Sequence, residues 1–142
     1  MIPEPPPEEL LKKWTLWKKV QSNGAVSYIQ APELNLSRDD DDVVVFFRKH
    51  AGLNGRVLDI GCGPQQHQPV YINGTDTNEY VGIDPLEGAE TRDFHHVQGI
   101  GEYLPFSDAS FDHVMMFSSL DHMLDYPMVL KESNRVLDTG GH

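Results

Sequence analysis

A chain of 142 residues, 39% hydrophobic and 23% charged, is long enough for one domain with a real core, and no apolar run in it approaches the roughly 20 residues a bilayer-spanning helix needs. The formal net charge of −11, from 22 acids against 11 bases, argues against a nucleic-acid backbone as the main partner, because counterion-release binding needs lysine and arginine clustered on one face. One cysteine, Cys62, excludes an intrachain disulfide, and Met1-Ile2-Pro3-Glu4-Pro5-Pro6-Pro7 lacks the basic and apolar regions of a secretory signal, so a cytoplasmic location is expected.

Residues 1–7 are proline-rich and predict extended or disordered chain. A helix follows from Pro7, with Glu8 and Glu9 complementing its dipole and Leu10, Trp14, Trp17 and Val20 at helical spacing. Lys12, Lys13, Lys18 and Lys19 fall between them, as a solvated face or a local basic patch. The two tryptophans pack on the domain, cover a substrate pocket or mark a partner surface. Ser22-Asn23-Gly24 is the expected end of this helix, and residues 1–36 are read as an extension preceding a core at 37–142. The aspartates at 39–42 lead into Val43-Val44-Val45-Phe46-Phe47-Arg48-Lys49-His50. Acids first and bases last predict a second helix, with Val43, Phe46, Phe47 and His50 on one face. The aspartate run is read as a solvated helix start rather than a cation site.

Val57, Leu58 and Ile60 form a short apolar run of the kind buried on both faces of a parallel sheet. Asp59 sits near its carboxyl end, and Gly61 and Gly63 follow in alternate positions, where bare peptide lets the chain turn and a ligand approach. In open α/β sheets ligands bind beyond the carboxyl ends of the strands. Pro69 and the polar residues 73–76 leave room for only a short helix after this loop. Tyr80-Val81-Gly82-Ile83-Asp84-Pro85 is a second buried strand ending in an acid able to accept hydrogen bonds from both hydroxyls of a ribose. A loop at Glu87-Gly88-Ala89-Glu90 replaces a full helix, and Phe94-His95-His96-Val97-Gln98 is the third strand. Adjacent histidines on alternate faces do not share one ion, and no metal site is expected. His113–Phe117 is the fourth strand, delivering Ser118-Ser119-Leu120-Asp121-His122 to the same edge as Asp59 and Asp84. Pro127 opens a last helix closed by Asp138-Thr139-Gly140-Gly141.

Val57-Leu58-Asp59-Ile60-Gly61-Cys62-Gly63 resembles motif I of the class I S-adenosylmethionine-dependent methyltransferases. Leu104-Pro105-Phe106-Ser107-Asp108-Ala109-Ser110-Phe111-Asp112 resembles the run before the fourth strand in many of their small-molecule (type 11) members. Arg135-Val136-Leu137-x-x-Gly140-Gly141 is similar to their entry to a fifth strand. The resemblance covers roughly residues 40–141. It implies a Rossmann-like, doubly wound, mostly parallel α/β sheet, here incomplete with about four of seven strands. The fourth-strand edge would then lie unpaired, open to self-association or a partner, and the chain is read as a truncated sequence or fragment.

The resemblance also implies S-adenosylmethionine as cofactor. Asp59, Gly61, Cys62 and Gly63 would line its methionine and ribose side, Asp84 and Pro85 the ribose hydroxyls, and Ile100, Gly101 and Glu102 the adenine, with Ser118 at the end of the fourth strand. Two positions depart from the pattern. Gln65 stands where a third glycine is usual. Ile100 stands where an acid contacts the adenine amino group, so backbone at Ile100 and Gly101, or the Glu102 carboxylate, would serve. The catalytic residue is unknown. His122 and Asp121 are the candidates for a general base, with Tyr103 and His67 behind them. A small-molecule or glycan- or lipid-type acceptor is expected. A nicotinamide oxidoreductase is the rival enzyme, opposed by Gln66 at its third glycine position and by Pro64. A degenerate module that binds cofactor or a partner without catalysis is the non-enzyme alternative.

Overall fold

Val57, Leu58 and Ile60 are all but inaccessible to solvent, because the strand that carries them lies inside a four-stranded parallel sheet. The computed structural model describes residues 11–31, 37–86 and 90–142. Strand β1 (Asn54–Ile60) is flanked by β2 (Asp76–Asp84) on one side and β4 (His113–Met115) on the other, with β3 (His95–Gln98) outside β2. All three pairings are parallel, and Val57 stands opposite both Tyr80 and His113. This is the doubly wound α/β architecture expected.

Alternation along the strands divides the core in two. Val57, Tyr80 and Met115 face one layer, with Val44, Leu53, Cys62, Tyr71 and Ile72. Leu58, Ile60, Val81 and Ile83 face the other, with Leu104, Phe111, Val129 and Val136. Helix α2 (Asp42–His50) covers the first face and α3 (Tyr126–Val136) the second. The packed face of α2 differs from the expected one. Val44 is its buried residue, whereas Val43 and Phe46 are 64% and 65% exposed. Phe47 decides this by setting its ring edge-on to Tyr71 and Phe117. Asp39 and Asp40 of the acidic run pair with Arg48 and Arg38.

Several boundaries move. Helix α1 (Leu11–Gln30) continues through Gly24 rather than ending at Ser22-Asn23-Gly24. Its expected start at Pro7, the proline-rich residues 1–7 and most of the Glu87–Glu90 loop lie outside the described residues. No α-helix forms between Gly63 and β2; a single 3-10 turn at Val70–Ile72 takes its place, after Pro69. β4 ends at Met115, two residues early, because the chain turns away before Ser118. The edge expected to be unpaired already carries bonds: His142 donates its N–H to the Asp112 carbonyl at 3.2 Å and accepts from the Val114 N–H at 2.9 Å. His95 is exposed, while His96 is half-buried beside Phe94, and burial pushes its imidazole down to about 4.

Arg135 explains the Leu-Pro-Phe run. Its guanidinium donates to the carbonyls of Leu104 and Phe106 at 3.0 and 2.8 Å and pairs with Asp108 and Glu132. Glu132 also accepts the Leu104 N–H at 3.0 Å. The hydrogen bond from Arg135 holds Glu132 below the ordinary glutamate range. A carboxylate so lowered contributes stability at neutral pH that is lost on acidification through its folded pKa. Arg135→Met is expected to cost roughly 2 kcal/mol in urea unfolding at pH 7, several charge-assisted bonds discounted for partial exposure, and less once acid protonates Glu132.

Candidate functional site

The carboxyl ends of β1, β2 and β4 surround a cleft of about 170 Å³. Ile60, Gly61 and Gly63 line it from β1 and its loop, and Ile83, Asp84, Pro85 and Leu86 from the end of β2. Gly99 to Glu102 line it after β3, and Ser118, Ser119, His122 and Met123 after β4. Helix α1 contributes Trp17, Val20, Gln21 and Gly24. The indole N–H of Trp17 donates to the His122 carbonyl at 2.8 Å, and the Gln21 amide reaches the same oxygen at 3.4 Å. Of the uses open to the tryptophans, Trp17 therefore takes up pocket covering, while its ring stacks on Trp14 at 5.2 Å.

The glycine loop turns back over β2. The amides of Gly61 and Cys62 donate to the Ile83 carbonyl at 2.8 and 3.4 Å. Gly61 has φ +83°, and a Cβ there would stand 2.5 Å from the Ser119 Cβ, so a side chain is barred twice over. Ser119 is tied down by its own hydroxyl, which donates to the Ile60 carbonyl at 2.6 Å. Gln65, in the place of a third glycine, folds its amide back onto the Cys62 carbonyl. Arg92, a residue the motif reading passed over, donates from one guanidinium nitrogen to the carbonyls of Gly63 at 3.0 Å and Gln65 at 3.1 Å.

Asp84 is buried at the centre of the cleft wall. Its Oδ2 accepts the Gly63 N–H and its Oδ1 the Leu86 N–H, both at 2.9 Å. Burial pushes its pKa up, and those two amides, with the charges of Arg92 and His122, pull it back. Each oxygen keeps a lone pair for a further donor.

Three expected site residues stand elsewhere. Asp59 points away from Ile60, into the opposite core layer, where its Oδ2 accepts both the Tyr71 and Tyr80 hydroxyls at 2.6 Å. Its Oδ1 is buried without a partner, and burial is the main cause that pushes the carboxyl up to about 6. Cys62 lies below the loop, 3% exposed, and burial drives its thiol well above the ordinary range. Asp121 is exposed and outside the lining, 3.7 Å from the His122 Nε2. Of the weaker candidates, His67 pairs with Asp93 at 2.9 Å, and neither it nor Tyr103 lines the cleft.

Glu102 lies in the adenine segment, but its Oε1 is occupied by the amides of Leu124 at 2.6 Å and Asp125 at 2.9 Å. It therefore anchors the entry to α3. Ser118 has φ +54°, a left-handed conformation costing a non-glycine residue about 1 kcal/mol or more, at the point where β4 opens into the cleft.

The chemistry of this lining suits a nucleoside carrying positive rather than negative charge. Among the described residues lining the cleft there is no lysine or arginine, while Asp84 and Glu102 are present. A dinucleotide pyrophosphate would meet carboxylates without cations, whereas a sulfonium meets an attractive field. Ile83, Pro85, Leu86 and Ile100 supply apolar surface for a base, and Asp84 supplies acceptors for ribose hydroxyls.

A family model described as a methyltransferase domain matches residues 58–142. A demethylmenaquinone methyltransferase of Staphylococcus saprophyticus is 34% identical over 96 residues, which are 61% of this chain and 41% of that protein. Its counterpart in Listeria welshimeri is 31% identical over 112 residues, 70% of this chain and 47% of the relative. The chain thus spans less than half the length of these curated relatives. Among solved structures, a Burkholderia thailandensis 1,6-didemethyltoxoflavin-N1-methyltransferase, with bound 1,6-didemethyltoxoflavin and S-adenosylhomocysteine, aligns with TM-score 0.67 at 18% identity, over 99% of this chain and 64% of its own. A Thermotoga maritima S-adenosylmethionine-dependent methyltransferase aligns with TM-score 0.51 at 25% identity, over 94% of this chain and 56% of that one.

Proposed function

The chain belongs to the methyltransferase-domain family, and on that premise we propose that it supplies the cofactor-binding part of an S-adenosylmethionine-dependent methyltransferase acting on a small acceptor without negative charge. The observation that carries this reading is Asp84, buried at the end of β2, bonded to the Gly63 amide at 2.9 Å and still able to accept from a ribose. Gly61 and Gly63 offer bare peptide beside it, and Ile83, Leu86 and Ile100 an apolar seat for the base.

The cofactor, when bound, supplies an activated methyl group; the protein's part is to align the acceptor, exclude water and manage a proton. Trp17, Val20 and Met123 form apolar cover over the cleft. Most protic groups in the lining are already engaged. Both Asp84 oxygens and the Glu102 Oε1 accept backbone amides, and the Ser119 hydroxyl donates to the Ile60 carbonyl. His122 is exposed, and its nearest carboxylate stands at 3.7 Å. Its imidazole is the group we assign to take a proton from an acceptor that must lose one. A cleft that holds carboxylates and no cationic counter-groups disfavours an acceptor with negative charge. The names of the relatives, demethylmenaquinone methyltransferase and 1,6-didemethyltoxoflavin-N1-methyltransferase, support a small-molecule acceptor.

Calorimetric titration with S-adenosylhomocysteine tests the reading. Binding with Kd on the order of micromolar is expected, weakened at least about tenfold in Asp84→Ala, which removes the ribose acceptors and the partner of the Gly63 amide. A folded chain that takes up no S-adenosylhomocysteine would put a non-catalytic module in its place.

A further inference from the structure

In a Rossmann-type site the glycine loop runs straight into a helix, whose own backbone bonds hold the loop in shape. Here no α-helix forms between Gly63 and β2, and the chain reaches Val70–Ile72 before even a 3-10 turn forms. The loop is held from outside instead, by the segment 91–94 that leads into β3. Arg92 bridges the carbonyls of Gly63 and Gln65 from a single nitrogen. Asp93 accepts the Gln68 N–H at 2.9 Å, pairs with His67 at 2.9 Å, and returns its own N–H to the Gln66 carbonyl at 3.1 Å. The Gln66 amide reaches the Thr91 hydroxyl at 3.4 Å. The Arg92 guanidinium also sits 5.6 Å from the centre of the Phe94 ring, which fixes its direction.

We propose that Arg92 is a positioning residue for the cofactor: by holding the Gly63 and Gln65 carbonyls it keeps the Gly63 amide on Asp84 and so presets the nucleoside-binding face of the loop. The inference rests on the reading of the cleft as a cofactor site. Arg92 does not line that cleft and acts through Gly63. With the Gly63 carbonyl held on one side of the residue and its N–H given to Asp84 on the other, the peptide planes around Gly63 have little freedom, although its φ of +82° lies in a region only glycine visits freely. Releasing the carbonyls leaves a glycine-containing loop, without a following helix, to sample other conformations. The cofactor must then reorder it on binding.

The donor geometry makes the claim separable from general stability. Both bonds come from one nitrogen, so a lysine ammonium can replace it, whereas methionine keeps only the apolar stem. The experiment compares wild type, Arg92→Met, Arg92→Lys and the distant Arg48→Met by S-adenosylhomocysteine calorimetry and amide hydrogen exchange without ligand. Arg92→Met is expected to speed exchange across residues 61–66 and raise Kd roughly tenfold, with Arg92→Lys within about threefold of wild type and Arg48→Met unchanged. Equal Kd and equal exchange in Arg92→Met would overturn the proposal, as would a loss in Arg92→Lys matching that in Arg92→Met. If wild type binds no S-adenosylhomocysteine, the cofactor reading fails, and the role of Arg92 in ordering the loop still stands or falls on the exchange at Gly63.

Discussion

Asp59→Asn is expected to gain roughly 2 to 3 kcal/mol in stability relative to wild type as the pH rises from 4 to 8. Asp59 is wholly buried, and its carboxyl titrates at about 6 against an ordinary value of 3.8. A raised acid binds its proton more tightly when folded. Stability is therefore full below the unfolded pKa and falls as pH rises through the folded one. The interval of roughly two units corresponds to about 3 kcal/mol. Asparagine has the shape of the neutral carboxyl, its oxygen can accept from Tyr71 and Tyr80 as Oδ2 does, and it never ionises. Urea unfolding at pH 4, 6 and 8 reads the result as a gap between wild type and variant that opens with pH. Parallel pH profiles would show that Asp59 ionises in the fold as easily as in water.

Gly61→Ala is expected to cost about 3 kcal/mol and to remove S-adenosylhomocysteine binding. The left-handed backbone accounts for about 1 to 2 kcal/mol of this. The rest comes from the Cβ, placed 2.5 Å from the Ser119 Cβ, a stem that cannot swing aside. Separating the two parts the end of β1 from the loop after β4 and breaks the 2.6 Å bond from Ser119 to the Ile60 carbonyl. Gly74→Ala is the control. Its φ of +75° carries the same backbone penalty, but nothing stands within 4 Å of the added carbon, so it should cost only about 1 kcal/mol and leave binding intact. Equal losses of stability in the two variants would mean that the loop yields to the extra carbon without strain.

The middle of the sheet was legible because strands buried on both faces advertise themselves as apolar runs, as at Val57–Ile60 and Tyr80–Asp84. Their first residues were not. Asn54 and Asp76 join the ladder through backbone alone and face solvent, so their side chains carry no signal. Gly24 reads as a helix end, yet α1 continues past it, a single glycine costing only about 1 kcal/mol. The cleft was legible at Gly61, Gly63 and Asp84. Asp59 shows where the motif misled. Strand alternation puts it on the face opposite Ile60, and that two-residue period was the available clue. Arg92 gave no warning, since no local pattern reveals which distant carbonyls a lone arginine will hold.

Burial of the only sulfhydryl has an experimental use. Cys62 packs beneath the glycine loop, with its sulfur 2.5 Å from where a side chain on Gly82 would begin. It is both covered and held in the unreactive protonated form. A thiol reagent can reach it only while the loop is lifted, so the labelling rate reports the free energy of those openings when reclosing is fast, and counts the openings themselves when labelling outpaces reclosing. The chain thus carries its own gauge of how often the loop comes off the sheet, readable in the intact protein without an added probe.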